Sequence, residues 1–550
     1  MPGGDFDGSL YTGRMARITG PSADPPPEQL RAALRAVREI VGAAHVLDAG
    51  PELDRAARAT FATTARAAAI VRPDGREAVQ QVVRVANRFG VPLHPISTGK
   101  NWGFGSAVPT RDGALLLDLS RLNRILDFDE RLGYLTVEPG VTFADAYAHL
   151  CAQRSRRFLS SIGGSPRASL IGNAMERGDG SGPYGDRFAH VAALQVVLPT
   201  GELVHTGFAR FGASPVAPLH RWGVGPALEG LFSQSSLGIV TQMTFWLAPL
   251  PHCLELIRFD MQTLEQLAAA TEALRELRLE GTLRAPIGIW NDYRVFSTLE
   301  SYPWHAGGPP LARSVLEQLR PADTPPWSGV TAVYAASERQ GRADWERVRS
   351  CLEPHVSRVL LEEYTGEAVA GAELGGIDSP ALRFFQGVPH VASLRSLYFR
   401  KPGRAPADPD PDRDRCGVIW LCPTVPLAAE HVSQAVDGLE PAMLEHGFEP
   451  FVAMIAQTDR TLYLIPLIIY DRDEAGADER ALALHDHLFA RFCKQGYLPH
   501  RLGAQSMEGL PNFIDDSGVL LDRLEAALDP NGVIAPGRYQ FRRARQRSRK

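Results

Sequence analysis

The sequence predicts an α+β protein of more than one domain. Its 550 residues correspond to roughly three or four domains of typical size. Short aliphatic segments of strand length alternate with amphipathic helical segments through the first half. Their connections are rich in Gly, which together with Pro makes up about one residue in six.

The elements follow in chain order. Residues 21–27 form a Pro-rich arm, and Pro27 is placed to open a helix, where a missing N–H costs nothing. Leu30, Ala33, Leu34, Val37, Ile40 and Val41 then recur at helical spacing. Ala69-Ile70-Val71 reads as a strand and Pro73-Asp74-Gly75 as a turn. Val79, Val82, Val83 and Ala86 line one helical face, which Gly90 ends. Residues 91–96, 114–119 and 134–137 read as strands, and Pro139-Gly140 precedes a helix over about 142–153. Residues 194–198 and 202–206 read as strands joined at Thr200-Gly201. The character changes at Pro249, Pro251 and His252. Beyond them lie predicted helices over 264–279, 428–446 and 479–495, strands over 418–421 and 462–469, and a Pro- and Asp-rich loop over 402–414.

Composition removes several classes of function. Hydrophobic residues make up 44% and charged residues 22%, which is ordinary for a soluble globular protein. The net charge of −5 gives no reason to expect nucleic-acid binding. No apolar run is long enough to span a bilayer, and residues 1–11 lack the pattern of a signal peptide. Six scattered Cys, with no Cys-x-x-Cys pair, fit a reducing cytoplasm and argue against a zinc site. Gly180-Ser181-Gly182-Pro183-Tyr184-Gly185 matches a dinucleotide fingerprint in letters only. No buried strand precedes it, and Pro183 argues against a helix opening there. His485-Asp486-His487 suggests metal ligands, but side chains at i and i+2 do not share a helix face, so a solvated surface is expected and no metal. The Arg-rich end, residues 542–550, reads as a solvated tail.

Two Gly-rich loops carry the chemistry. In residues 97–105, Gly99, Gly103 and Gly105 let backbone N–H groups converge on an anion, and Lys100 adds charge. Residues 160–178 form a second such loop, with Gly163, Gly164, Ser165 and Gly172. One loop alone reads as an ordinary turn-rich connection. Two in one α+β domain favour a nucleotide diphosphate cofactor.

Pro95-Ile96-Ser97-Thr98-Gly99-Lys100-Asn101-Trp102-Gly103-Phe104-Gly105 resembles the flavin pyrophosphate loop of the vanillyl-alcohol oxidase and 4-cresol dehydrogenase family. The resemblance continues through residues 170–178 and 182–186, recurs at 231–241, and closes at 528–538. The blocks span residues 65–540 in family order. They imply a two-domain flavoprotein: a bipartite FAD-binding domain, and a cap domain of antiparallel sheet covered by helices. The matching boundaries are an arm and helix over 1–60, the FAD-binding domain over 61–250, the cap over 251–495, and a return to the FAD domain with a basic tail over 496–550. Besides residues 95–103, the resemblance assigns to FAD Ser160, Ser161, Gly163, Gly164, Ser165, Ser169, Gly172, Asn173, Glu176, Gly178, Gly182, Tyr184, Gly238, Ile239, Val240, Arg501 and Arg538.

The family transfers hydride from substrate to flavin N5, usually from the benzylic carbon of a phenol held as phenolate by two Tyr and one Arg. Here the Tyr positions carry Phe104 and His500, and the Arg is kept as Arg501. The acidic residue near N5 falls at Ser161, and Tyr463 takes a polar pocket position. Phe104 cannot donate to a phenolate. His500 can donate, act as a base near neutral pH, or fill the space of a Tyr. The expected function is therefore an FAD-dependent oxidase or dehydrogenase that tailors a specialised metabolite, with oxygen or an external acceptor reoxidising the flavin. The alternatives are a 4-alkylphenol oxidase using Arg501 and His500, and an FAD-binding scaffold subunit. Asn101, Ser165 and Val418 stand where relatives bond the flavin, so FAD is expected to be non-covalent, with His94, Cys416 and Cys422 as other possible attachment points. The family implies a homodimer.

Overall fold

A computed structural model describes residues 26–365, 379–507, 509–510 and 516–540. Most of the Pro-rich arm and the basic tail lie outside the described residues.

The helix opened by Pro27 runs Pro27–Val41 and buries Ala33, Leu34, Val37 and Val41. It shares a core with helix Arg76–Phe89, which buries Val79, Val82, Val83 and Ala86 and ends at left-handed Gly90. Both cover a four-stranded sheet in the order Val46–Leu47, Ala69–Val71, Leu115–Asp118, Leu93–Ile96. Leu115–Asp118 is parallel to both of its neighbours. The end of the chain returns to this sheet. The Leu93 N–H donates to the Val533 carbonyl at 2.7 Å, and the Ala535 N–H donates to the Leu93 carbonyl at 2.7 Å. The first core is thus completed by residues more than four hundred positions away.

A second, antiparallel sheet has the order Ile125–Asp129, Tyr134–Val137, Ile239–Trp246, Val191–Val197, Leu203–His205. Helix Phe143–Ala152 lies beside it, closed at its start by a capping box of Thr142 and Asp145.

The second half is built on one large antiparallel sheet. Its order is Arg358–Thr365, Cys253–Met261, Trp327–Ala335, Ile287–Asn291, Phe451–Ala456, Thr461–Asp471, Cys416–Trp420, with Thr424–Pro426 also paired to Thr461–Asp471. Helices Leu264–Leu279, Glu338–Leu352 and Ala477–Lys494 share one core with one face of this sheet. Strand alternation divides the faces. Leu462, Leu464 and Ile468 enter that helical core, whereas Tyr463, Ile465 and Leu467 point into the central cavity. The result is an α+β architecture in which the first half and the large antiparallel sheet are separate layers, as the resemblance implies.

Two expectations need correction. The helix expected over 428–446 is two helices, Ala429–Val436 and Leu439–Glu445, broken where Gly438 takes φ 66°. His485 is fully buried rather than solvated, and its Nδ1 meets Asp486 at 3.0 Å. Helix Ala477–Lys494 turns His485 into the core and leaves His487 exposed, so the two rings do not converge.

Candidate active site

A cavity of about 720 Å³ lies between the first half of the chain and the large sheet. That volume is in the range of cofactor and small-ligand sites. One wall is made by residues 95–102 and Phe104, the second loop from residue 162 to Glu176, Gly238, Ile239, Val240 and Arg538. The facing wall comes from the sheet and includes Trp290, Trp420 and Tyr463.

The loops carry the donors that an anionic cofactor needs. Among the described residues, the backbone N–H groups of residues 98–102 and of Gly163, Gly164 and Ser165 meet no protein acceptor. Left-handed Gly99 (φ 68°) and Gly103 (φ 77°) turn the first loop. A Cβ at Gly172 would sit 2.5 Å from the Ser97 hydroxyl, so the loops touch only because Gly172 has no side chain. Ser169 caps the short helix Leu170–Met175 by accepting from the Gly172 N–H at 3.0 Å. Two rows of converging, unsatisfied amides suit a pyrophosphate, and these residues fit FAD.

Cap residues brace the first loop from outside. Lys100 pairs with Asp410 at 2.7 Å. Asp412 accepts from Trp102 Nε1 at 2.9 Å and from the Ser106 hydroxyl at 2.8 Å. Burial raises the Asp412 carboxyl to about 7.

Several residues assigned from sequence stand behind the wall. The Gly103 N–H donates to Thr60 Oγ1 at 2.9 Å. The Ser161 side chain is fully buried, its amide donates to Ser181 Oγ at 2.9 Å, and its hydroxyl reaches the Val388 carbonyl at 3.4 Å. Ser161 is therefore turned away from the reacting space. Ser160 is buried beside it. The Gly178 N–H donates to the Asn173 carbonyl at 2.8 Å, Gly182 lies against the Phe158 ring, and Tyr184 stacks on His190 at 4.3 Å. Val418 is buried, with its amide on the Thr60 carbonyl, whereas Trp420 and Cys422 of the same segment reach the cavity.

The catalytic candidates Phe104, Tyr463, His500 and Arg501 do converge. The His500 ring stacks on Tyr463 with centroids 3.7 Å apart. Its Nδ1 lies 3.3 Å from the Cys422 carbonyl. A carbonyl accepts only, so Nδ1 carries the proton and Nε2 is left as an acceptor. Burial, reinforced by the Arg501 charge, lowers His500 to about 3. The ring therefore stays neutral. The Arg501 guanidinium lies 4.1 Å from the Phe104 ring centre and donates to Asn101 Oδ1. Glu176 stands 3.6 Å from Arg501 Nε, accepts from Arg538, and accepts from the Tyr539 hydroxyl at 3.0 Å. Burial opposes the Glu176 charge, but the two arginines outweigh it and hold its carboxyl below the usual range.

Residue-by-residue reading missed Asp179 and Arg294, both on the cavity wall. Burial raises the Asp179 carboxyl despite Arg187 and Arg501 nearby. An Asp between two Gly reads as a turn residue, which hid it. Of the possible flavin-bonding residues, His94 and Cys422 line the cavity and Cys416 does not. Burial lowers His94 to about 3 and raises the Cys422 thiol to about 12.

Amide-lined loops facing a sheet-built pocket define a flavin-dependent enzyme. Residues 67–207 match the FAD binding domain family. The chain is 43% identical to 1'-carboxy-chondrochloren decarboxylase of Chondromyces crocatus over 530 residues, 94% of this chain and 98% of the relative. It is 29% identical to the 4-cresol dehydrogenase [hydroxylating] flavoprotein subunit of Pseudomonas putida, over 84% of this chain and 85% of the relative. A substrate-bound crystal structure of p-cresol methylhydroxylase superposes with a TM-score of 0.85 at 25% identity, covering 94% of this chain and 98% of that one. The chain belongs to the p-cresol methylhydroxylase family of FAD-linked oxidoreductases. It is an FAD-dependent enzyme. Among the described residues, no helix is long and apolar enough to cross a membrane.

Proposed function

We propose that this oxidoreductase removes a hydride from a small specialised-metabolite substrate in a tailoring step, with flavin N5 as the acceptor. Bound FAD supplies the two-electron oxidant. The loops over 95–103 and 160–178 hold it without a covalent bond, because Asn101, Ser165 and Val418 stand where relatives bond the flavin.

The observation that carries this reading is the chemistry of the substrate wall. Phe104 offers no hydroxyl, and His500 offers an acceptor where a phenolate needs a donor. A neutral Nε2 receives a hydrogen bond from a substrate O–H or N–H and orients it. Tyr463 fixes the plane of that ring by stacking. Asp179, with its raised carboxyl, is the group suited to take the departing proton. Arg501 spends its charge on Glu176 and Asn101 rather than on substrate. The similarity to a decarboxylase named for a carboxylated metabolite supports a role in tailoring. Oxygen or an external acceptor completes the cycle, and the enzyme works in the cytoplasm as a homodimer.

Arg501 also supports a second reading, oxidation of 4-alkylphenols through Arg501 and His500. Anaerobic mixing of the flavoprotein with donors separates the two. Benzylic and allylic alcohols or amines are expected to bleach the flavin band while 4-alkylphenols leave it oxidised. Bleaching by 4-alkylphenols would establish the phenolate reading instead. Flavin that stays oxidised with every donor, in a protein that mediates a specific complex, would point to a scaffold subunit.

A further inference from the structure

Five arginines line the cavity; Arg395 is exposed, and of the four that are buried or half-buried three have carboxylate partners. Arg258 meets Glu362 at 2.5 Å, and Arg501 and Arg538 share Glu176. Arg294 has none. It projects from helix Asp292–Leu299, which follows the cavity-lining strand Ile287–Asn291, and is 8% exposed. Its Nη1 donates to Thr298 Oγ1 at 2.8 Å, and its buried Nε has no acceptor. The nearest acid in sequence, Asp292, is already held by Arg313 at 2.5 Å and Arg320 at 2.6 Å. Burial alone lowers Arg294, to about 10, with no opposing charge. Guanidinium stays charged at any working pH, so the cavity wall holds a cation without an anion.

We propose that Arg294 is the anchor for a carboxylate on the substrate. Guanidinium matches a carboxylate with two parallel N–H···O bonds. One buried unpaired cation neutralises one negative charge, and Arg395, the other arginine on the wall with no acid against it among the described residues, is exposed and screened by solvent. A phosphate monoester carries up to two and would exceed it. The cofactor's own phosphates have donors elsewhere, in the amides of residues 98–102 and 163–165. Trp290, Val295 and Leu299 line the same cavity, along with Thr298, so the substrate is taken to carry apolar surface besides its carboxylate. The substrate class is therefore an arylalkanoate or similar hydrophobic acid. This assignment rests on the hydride-removal reading and narrows its substrate.

The test is calorimetric titration of the FAD-loaded full chain with phenylpropanoate, phenylpropanamide and phenylpropyl phosphate. The acid is expected to bind about tenfold or more tightly than the amide, the size of one charge-assisted hydrogen-bonded pair, and more tightly than the phosphate. Arg294→Gln should remove the preference for the acid and Arg294→Lys should keep part of it. FAD content should be unchanged, and the melting temperature of Arg294→Gln should be equal or higher, because an unpaired buried charge has been removed. Acid and amide binding alike in the wild type, or neither binding, overturns the proposal. So does an Arg294→Gln protein that loses FAD or stability while keeping its preference for the acid, since that marks a structural residue. Tighter binding of the phosphate assigns the site to a phosphate monoester instead. The titration needs no turnover. A preference for acids with no flavin bleaching would sink the hydride reading alone, and bleaching without that preference would sink the anchor alone.

Discussion

On the proposed reading, replacing Phe104 and His500 together with Tyr should build a phenolate site in the cavity. Phe104 lies under the Arg501 guanidinium, 4.1 Å from ring centre to Cζ, so a hydroxyl on that ring would project from the same cavity wall. A Tyr at 500 can keep the stack on Tyr463, now 3.7 Å between centroids, because both rings are flat and aromatic. Each new hydroxyl can donate one hydrogen bond to a phenolate oxygen. A hydrogen bond to a charged partner contributes about 1.5–3 kcal/mol, so two contribute about 3–6 kcal/mol. That corresponds to roughly 10²- to 10⁴-fold tighter binding of the phenolate. The assay is anaerobic titration of wild type, both single variants and the Phe104→Tyr/His500→Tyr double with 4-methylphenol, followed by the rate of flavin bleaching. The double should bind and bleach, the singles should fall between, and the wild type should do neither. A wild type that bleaches as fast as the double would refute the reasoning, because Phe104 and His500 would then not be what excludes phenolates.

Four further outcomes follow from the same geometry. Gly103→Ala places a Cβ 1.5 Å from the Trp420 ring at φ 77°; overpacking and the left-handed backbone together should cost about 2–5 kcal/mol, read as lower FAD content and a lower urea midpoint. Glu176→Ala leaves Arg501 and Arg538 without their shared carboxylate and should destabilise by about 3–5 kcal/mol in urea unfolding, with Glu176→Gln costing less. His94 and His500 are lowered to about 3 when folded, so their stability is full above the unfolded value near 6.5 and is lost as pH falls from there. Each should contribute a slope of about 1.4 kcal/mol per pH unit in that window, and His94→Gln should flatten the pH dependence of the melting temperature. Asp179→Asn should slow flavin reduction by about 10²-fold or more while leaving the flavin spectrum unchanged, as removal of a proton acceptor does.

Local elements were legible where a period met a clear stop. Helix Pro27–Val41 shows its apolar stripe and its Pro start, and helix Arg76–Phe89 shows its stripe and Gly90. The helix over 428–446 was misread because apolar spacing continues through Asp437-Gly438, and only the left-handed turn at Gly438 shows the break. Most strands of the large sheet carry no local mark. Cys253–Met261 pairs with segments some seventy to one hundred residues away, and such pairing depends on packing against distant neighbours. The cofactor loops were legible because Gly and Ser must cluster where backbone amides meet an anion. Arg294 was invisible for the opposite reason: an Arg at the start of a helix looks like any surface Arg until burial removes its water and the fold denies it an acid. Ser161 lies behind the cavity wall because its segment turns inward to bond Ser181 and Val388.

The most direct measurement is a visible spectrum of the purified protein followed by acid precipitation. FAD that colours the native protein and passes wholly into the supernatant is the predicted result if, as proposed, the two amide-lined loops hold it by contacts alone. Flavin retained in the pellet would contradict this and point to His94 or Cys422 as the point of attachment. A colourless protein that cannot be reconstituted with FAD would contradict the flavoenzyme assignment itself.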